Sequence, residues 1–229
     1  IDMHFKQRAT VLLLAVMILC CQSLASAQRG RKRLLPLTNY AARSDSLNMR
    51  WDSNYYGYVQ TGTNNCFSSA AVLTINGATF YSRQRMRTSD GKEWVLSGPA
   101  RNIPSLEVSR RLRVDSTKPG IRFVEVLTNK GSAKLSVSIM LRTTFGRGAA
   151  QRIVTESGSN LTSNFLGKRD SGLVAIGYAP TLQNTVVFYL GGARSRVRPV
   201  VSNAGNRTLT FTYSMSIKPG RTVSVIHGM

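Results

Sequence analysis

Histidine, cysteine and acid are scarce in this chain, and each shortage closes off a class of chemistry. Its 229 residues hold two histidines, three cysteines and ten aspartates and glutamates, against 31 lysines and arginines. His4 falls in an N-terminal secretion signal, so a Ser-His-Asp or Cys-His arrangement would have to be built around His227, two residues from the last position. Cys20 and Cys21 belong to the same signal. Cys66 is then left without a partner for an internal disulfide, reads as a small buried hydrophobe, and leaves stability to a hydrophobic core. Metal ligation fares no better: Asp45, Asn48, Asp52 and Asn54 match no calcium-loop spacing and no bidentate Glu follows them. Candidate carboxylates for glycosidic chemistry are few. Asp90 and Asp115 fall in turns, Asp170 in a loop, Glu107 on an outward face, and Glu125 faces inward with Arg110 as its expected partner. Helical periodicity is missing throughout the segment after the signal, and the Gly-rich stretches lack the strand-to-helix setting of a phosphate loop. No catalytic residue, metal or cofactor is therefore expected.

What is present begins with that signal. Lys6 and Arg8 form a basic start, Ala9 to Cys21 an apolar run shorter than the ~20 residues of a membrane span, and Ala25-Ser26-Ala27 a small-residue cleavage site. Residues 1–27 are read as a signal peptide, 28–54 as a basic, irregular lead-in containing Arg29 to Arg33, and 55–229 as one β-sandwich domain. The place of action is then outside the cytoplasm, secreted or in the cell envelope, with no membrane span once the signal is removed. The strand pattern of Arg221 to Ile226 runs almost to the last residue without a cap, which predicts further domains in a longer protein.

Strand signals fill the rest. Leu106, Val108, Leu112 and Val114 share one face of a first arm, Ile121, Phe123 and Leu127 one face of a second, and Leu135, Val137, Ile139, Leu141 and Phe145 one face of a third. The pattern predicts a three-stranded antiparallel meander over Leu106 to Phe145. Thr143 interrupts the third row, as Arg110 and Glu125 interrupt the first two. Setting Val114 opposite Ile121 brings them face to face, which predicts a buried structural pair. Asn76-Gly77 and Ser89-Asp90-Gly91-Lys92 signal hairpins, and Lys118-Pro119-Gly120 and Lys218-Pro219-Gly220 signal type II turns. Gly98 to Pro104 and Gly146 to Arg169 read as loops, while strands are expected at Leu173 to Tyr178, Thr185 to Leu190, Val197 to Val201, Thr208 to Ile217 and Thr222 to Ile226. The fold class is an all-β antiparallel sandwich.

The run Ser109-Arg-Arg-Leu-Arg-Val114, the segment Gly120 to Gly131 with Leu127-Thr-Asn129, the strand ending Thr144-Phe-Gly146, and Lys218-Pro-Gly-Arg-Thr-Val-Ser-Val225 together resemble β-sandwich modules of large secreted bacterial proteins. The resemblance spans about residues 70–226. It implies an extracellular structural or binding module of unassigned activity, with a supersandwich like that of the sugar mutarotases as one variant. No catalytic residue carries over.

The strongest surface signal is arginine at strand period. Arg83, Arg85 and Arg87 form one row and Arg194, Arg196 and Arg198 another, each placing three guanidinium groups on one side of an extended chain. Such rows grip repeating anions, or else serve as solvated faces that block aggregation. With a formal net charge of +21, the expected role is a non-enzymatic exported structural or interaction module that binds anionic polysaccharide or another polyanion, with no specific nucleic-acid partner. The competing reading is an accessory or catalytic part of a secreted carbohydrate-active enzyme, with Trp51, Tyr55, Tyr56 and Tyr58 as a carbohydrate-binding platform.

Overall fold

The computed structural model describes residues 32–146, 149–158, 160–161, 170–178, 185–191, 195 and 197–229. The signal, Arg29, Arg31, Arg194 and Arg196 lie outside the described residues. The chain divides into two units, Ile1–Leu34 and Leu35–Met229, and the second carries both large sheets of the fold.

Alternation of apolar and polar residues, with Asn, Gly and Pro between the runs, gives strands throughout the described residues: β1 (Leu34–Pro36), β2 (Arg43–Ser44), β3 (Arg50–Trp51), β4 (Phe67–Ile75), β5 (Ala78–Thr79), β6 (Gln84–Thr88), β7 (Glu93–Ala100) and β8 (Ile103–Val114). They continue as β9 (Ile121–Asn129), β10 (Leu135–Phe145), β11 (Ala150–Thr155), β12 (Gly172–Tyr178), β13 (Val186–Tyr189), β14 (Val200–Ala204), β15 (Thr208–Ile217) and β16 (Thr222–Gly228). A nine-stranded sheet runs β1-β6-β7-β8-β9-β16-β13-β12-β11, a five-stranded sheet runs β14-β15-β10-β4-β5, and β2 and β3 pair separately. The two large sheets share one core, where Phe145 of β10 meets Phe188 of β13 edge-on and Phe188 tilts against Phe211 of β15. This is an all-β antiparallel sandwich. Each fully buried Leu, Ile or Phe in it stabilises the fold by about 1.5–3 kcal/mol relative to exposure.

The turns follow their chemistry. Asn76 (φ 44°) and Gly77 (φ 80°) both sit in the left-handed region that a two-residue hairpin needs, and they close β4 onto β5. At the second Lys-Pro-Gly corner Gly220 has φ 66° and Arg221 N–H donates to Lys218 O at 3.1 Å.

The structure corrects the expected meander. The first two arms, β8 and β9, pair with Val114 opposite Ile121 and Arg110 opposite Glu125. The third arm crosses to the other sheet, where β10 lies between β15 and β4, while the free side of β9 is taken by β16. Alternation fixes which face of a strand is buried, and β10 satisfies it equally well in the opposing sheet. Asn129 makes the crossing. Its buried side chain donates to Ala133 O (2.7 Å) and Ile217 O (3.0 Å) and accepts from Gly131 N–H (2.9 Å), tying the end of β9 to the small sheet.

Other boundaries move too. Pro99 lies inside β7, which with β8 replaces the expected loop over Gly98 to Pro104. Its position is opposite Glu107, just before the register shift at Ala100, a place where an irregular ladder tolerates a missing N–H. Ala150–Thr155 is a strand within the expected loop over 146–169, and it pairs with β12. The expected strand at Val197 to Val201 begins later, at Val200. In the lead-in, Leu37 and Trp51 are buried in the common core, so the second half of that segment packs with the sandwich.

Candidate functional site

Arg83, Arg85 and Arg87 are all exposed at alternate positions; Arg85 and Arg87 lie on β6 and Arg83 immediately precedes it. Arg85 stands opposite Leu96 and Arg87 opposite Trp94, so these exposed arginines share their side of the sheet with two buried residues of β7. Tyrosines occupy the same place. The Arg85 guanidinium lies 5.2 Å from the centre of the Tyr55 ring, and its Nε donates to Ser82 Oγ at 3.3 Å. The arginine row and the tyrosines thus form one surface.

As a stacking platform that surface is limited. Tyr55 lies against Tyr56 with ring centres 3.8 Å apart, Tyr56 is parallel to Tyr58 at 6.2 Å, and Tyr81 meets Tyr56 edge-on. The Tyr55 and Tyr56 hydroxyls are 2.6 Å apart, and that bond and the crowding push the Tyr56 phenol up to about 12. Trp51 leaves the expected platform altogether: its ring is 8% exposed, stacks towards Phe67, and donates its indole N–H to Asp45. An aromatic residue beside a short strand finds its partner in the core rather than in solvent. Of the second arginine row only Arg198 is described, and its Nη1 donates to the Asp170 carbonyl at 3.3 Å.

A second feature lies in the core. Arg110 and Glu125 are both fully buried, with Arg110 Nη2 3.3 Å from Glu125 Oε1. His227, on β16, completes the group: its Nε2 is 2.9 Å from the same carboxylate oxygen and its ring stacks on Phe123 at 4.8 Å. The Arg110 guanidinium covers the Phe123 ring at 4.7 Å. A carboxylate only accepts, so Nε2 carries the proton and neutral His227 keeps its lone pair on Nδ1. Burial, with Arg110 close by, holds the His227 pKa below its ordinary value even though Glu125 pulls the other way.

The guanidinium also serves the backbone. Between β4 and β10 the register shifts so that Ala70 and Ala71 together stand opposite Thr143. Ala71 is left-handed (φ 57°); its carbonyl accepts from Arg110 Nη2 at 2.6 Å and its N–H donates to Thr143 Oγ1 at 3.1 Å. Arg110, Glu125 and Thr143, the polar residues that break three apolar rows, therefore converge on one bulge.

His227 is the residue that sequence reasoning misses. In the sequence it lies at an uncapped end, yet β16 carries it into the middle of the large sheet. The available signal is its inward parity with Val225 and Val223. Cys66 is buried without a bonding partner, and burial pushes its thiol up to about 11, far from a reactive thiolate. Among the described residues no group of three or more His, Cys, Asp or Glu is placed to hold a metal. Asp45 and Asp52 are instead occupied by loop N–H groups, Asp45 by those of Leu47, Met49 and Gly120, Asp52 by those of Thr61 and Gly62.

No protein-family model matches this chain, and no curated protein does. Among solved structures it is similar to the Slr1438 protein of Synechocystis sp. PCC 6803, at 10% identity over 85% of this chain and 95% of that one, with a TM-score of 0.46. It is also similar to a protein of Escherichia coli K12 provisionally assigned as an aldose 1-epimerase, at 8% identity over 86% of this chain and 98% of that one, with a TM-score of 0.42. At these values no activity transfers.

Proposed function

We propose that the chain is an exported, non-enzymatic interaction module whose basic surface binds polyanions, with acidic polysaccharide as the chemical class it suits. The observation behind this reading is where the negative charge goes. All nine carboxylates among the described residues are engaged inside the protein. Asp45, Asp52, Asp90, Glu156 and Asp170 accept backbone N–H groups. Glu93 pairs with Arg111, Glu107 with Lys130, Asp115 with Arg113 and Lys92, and Glu125 with Arg110. Arg83, Arg87, Arg142, Arg207 and Arg221 are exposed and pair with no carboxylate among the described residues.

A surface that cannot neutralise itself attracts anions from outside, and arginine favours bidentate contact with sulfate, phosphate or carboxylate. The Arg83 to Arg87 row beside the tyrosine cluster is the part with the regular spacing, with side chains on one face about 7 Å apart. On immobilised heparin, the chain from Gln28 onwards is expected to elute at high salt, and the variant carrying Arg83→Ser, Arg85→Ser and Arg87→Ser clearly earlier. Co-elution of the two would remove the row from the binding surface.

A further inference from the structure

A cleft of about 750 Å³ opens beside the corner between β8 and β9, and none of Arg83, Arg85 and Arg87 lines it. Its walls come from the loop around Leu47 and Met49, the Lys118 to Arg122 corner, β13 and the end of β16, with His227 among the lining residues. Two properties set it apart. Four of the eight large hydrophobic residues exposed on the described surface, Leu47 (67%), Val187 (56%), Ile226 (47%) and Tyr189 (46%), line this one cleft. In a chain this basic, such a concentration of open apolar surface marks a binding site rather than chance exposure.

The second property is its charge. Both side-chain carboxylates in the wall are occupied: Asp45 accepts from Leu47, Met49, Trp51 and Gly120, and Asp115 is held by Arg113 at 2.8 Å. Arg50, Lys118 and Arg122 are exposed on the same wall and pair with no carboxylate among the described residues. His227, also in the lining, is buried with its Nε2–H engaged by Glu125.

An occupant must therefore present an apolar body to Leu47, Val187 and Ile226 and a negative group to Arg50, Lys118 and Arg122. We infer that the cleft binds a single-chain amphiphilic anion, an alkyl chain ending in a carboxylate. A bare polyanion leaves the apolar wall uncovered. A neutral hydrophobe leaves the cations unmatched. The site goes beyond the polyanion reading and involves none of the β6 arginines.

The test is isothermal titration of the chain from Gln28 with dodecanoate, below its micelle concentration. Hexanoate and dodecyltrimethylammonium serve as probes of chain length and charge. Saturable one-to-one binding of dodecanoate is expected, with hexanoate and the cationic analogue each weaker by roughly tenfold or more, the equivalent of 1.4 kcal/mol. The exposed-surface variants Val187→Asp and Lys118→Glu/Arg122→Glu should each lose binding by a similar factor while their circular dichroism stays unchanged. Heparin tetrasaccharide should fail to displace dodecanoate. Equal binding of the cationic analogue, no effect of either variant, displacement by heparin, or no dodecanoate binding at all would each overturn the inference. None of these outcomes bears on heparin retention through Arg83, Arg85 and Arg87.

Discussion

Arg110 shows how a core tolerates a charge. Its Nη2 lies within 3.3 Å of Glu125 and donates to the Ala71 carbonyl at 2.6 Å, whereas its Nε and Nη1 and Glu125 Oε2 have no hydrogen-bond partner. The cluster is only partly satisfied, so its desolvation is offset mainly by the mutual pairing of its members. Removing one partner, by Arg110→Met or Glu125→Leu, is expected to cost on the order of 3–5 kcal/mol in urea unfolding, because the other charge stays buried alone. The double replacement should recover most of that loss. A double variant as unstable as the sum of the singles would show that the two side chains act independently. His227 adds a pH dependence whose sign follows from burial. Its folded pKa lies below the ordinary value of about 6.5, so under acid conditions the unfolded chain takes up a proton that the native state resists. The contribution is full above that value and is lost as pH falls below it. Unfolding midpoints measured across this range should drop towards acid, and the drop should be shallower in His227→Asn.

At the scale of elements, the connection from β9 to β10 decides the architecture. A hairpin there would have produced one long meander; Asn129 instead carries the chain across to the opposing sheet with three hydrogen bonds. Asn129→Ala is expected to cost about 3 kcal/mol, roughly one for each bond lost, with Ala133 and Ile217 carbonyls left unmatched. A loss under about 1 kcal/mol in urea titration would mean that the crossing is held by strand pairing alone. The same connection marks what can be read from sequence. The β8–β9 register is legible because two apolar rows and two opposite charges fit only one alignment well. The destination of β10 is not, since a half-buried strand alternates identically in either sheet. Thr143 looks like a flaw in a row because the bulge it serves is contributed by β4, 72 residues away in sequence. The cleft is invisible for a related reason: Leu47, Arg122, Val187 and Ile226 come from four separate segments, and no local spacing connects them.

Across the whole molecule, charge is the property most plainly written in composition and least plainly placed by it. The net charge is +21, and the few acids among the described residues are engaged by loop N–H groups, by specific cations and in the core. The most direct test is the affinity of the chain from Gln28 for a defined heparin oligosaccharide, measured at several salt concentrations. If exposed arginines grip the anion, affinity should fall steeply and steadily as the Debye length shrinks from about 10 Å at 0.1 M to about 3 Å at 1 M. Affinity that stays level across that range, or no measurable binding at 0.1 M, would contradict a polyanion-binding role for this surface.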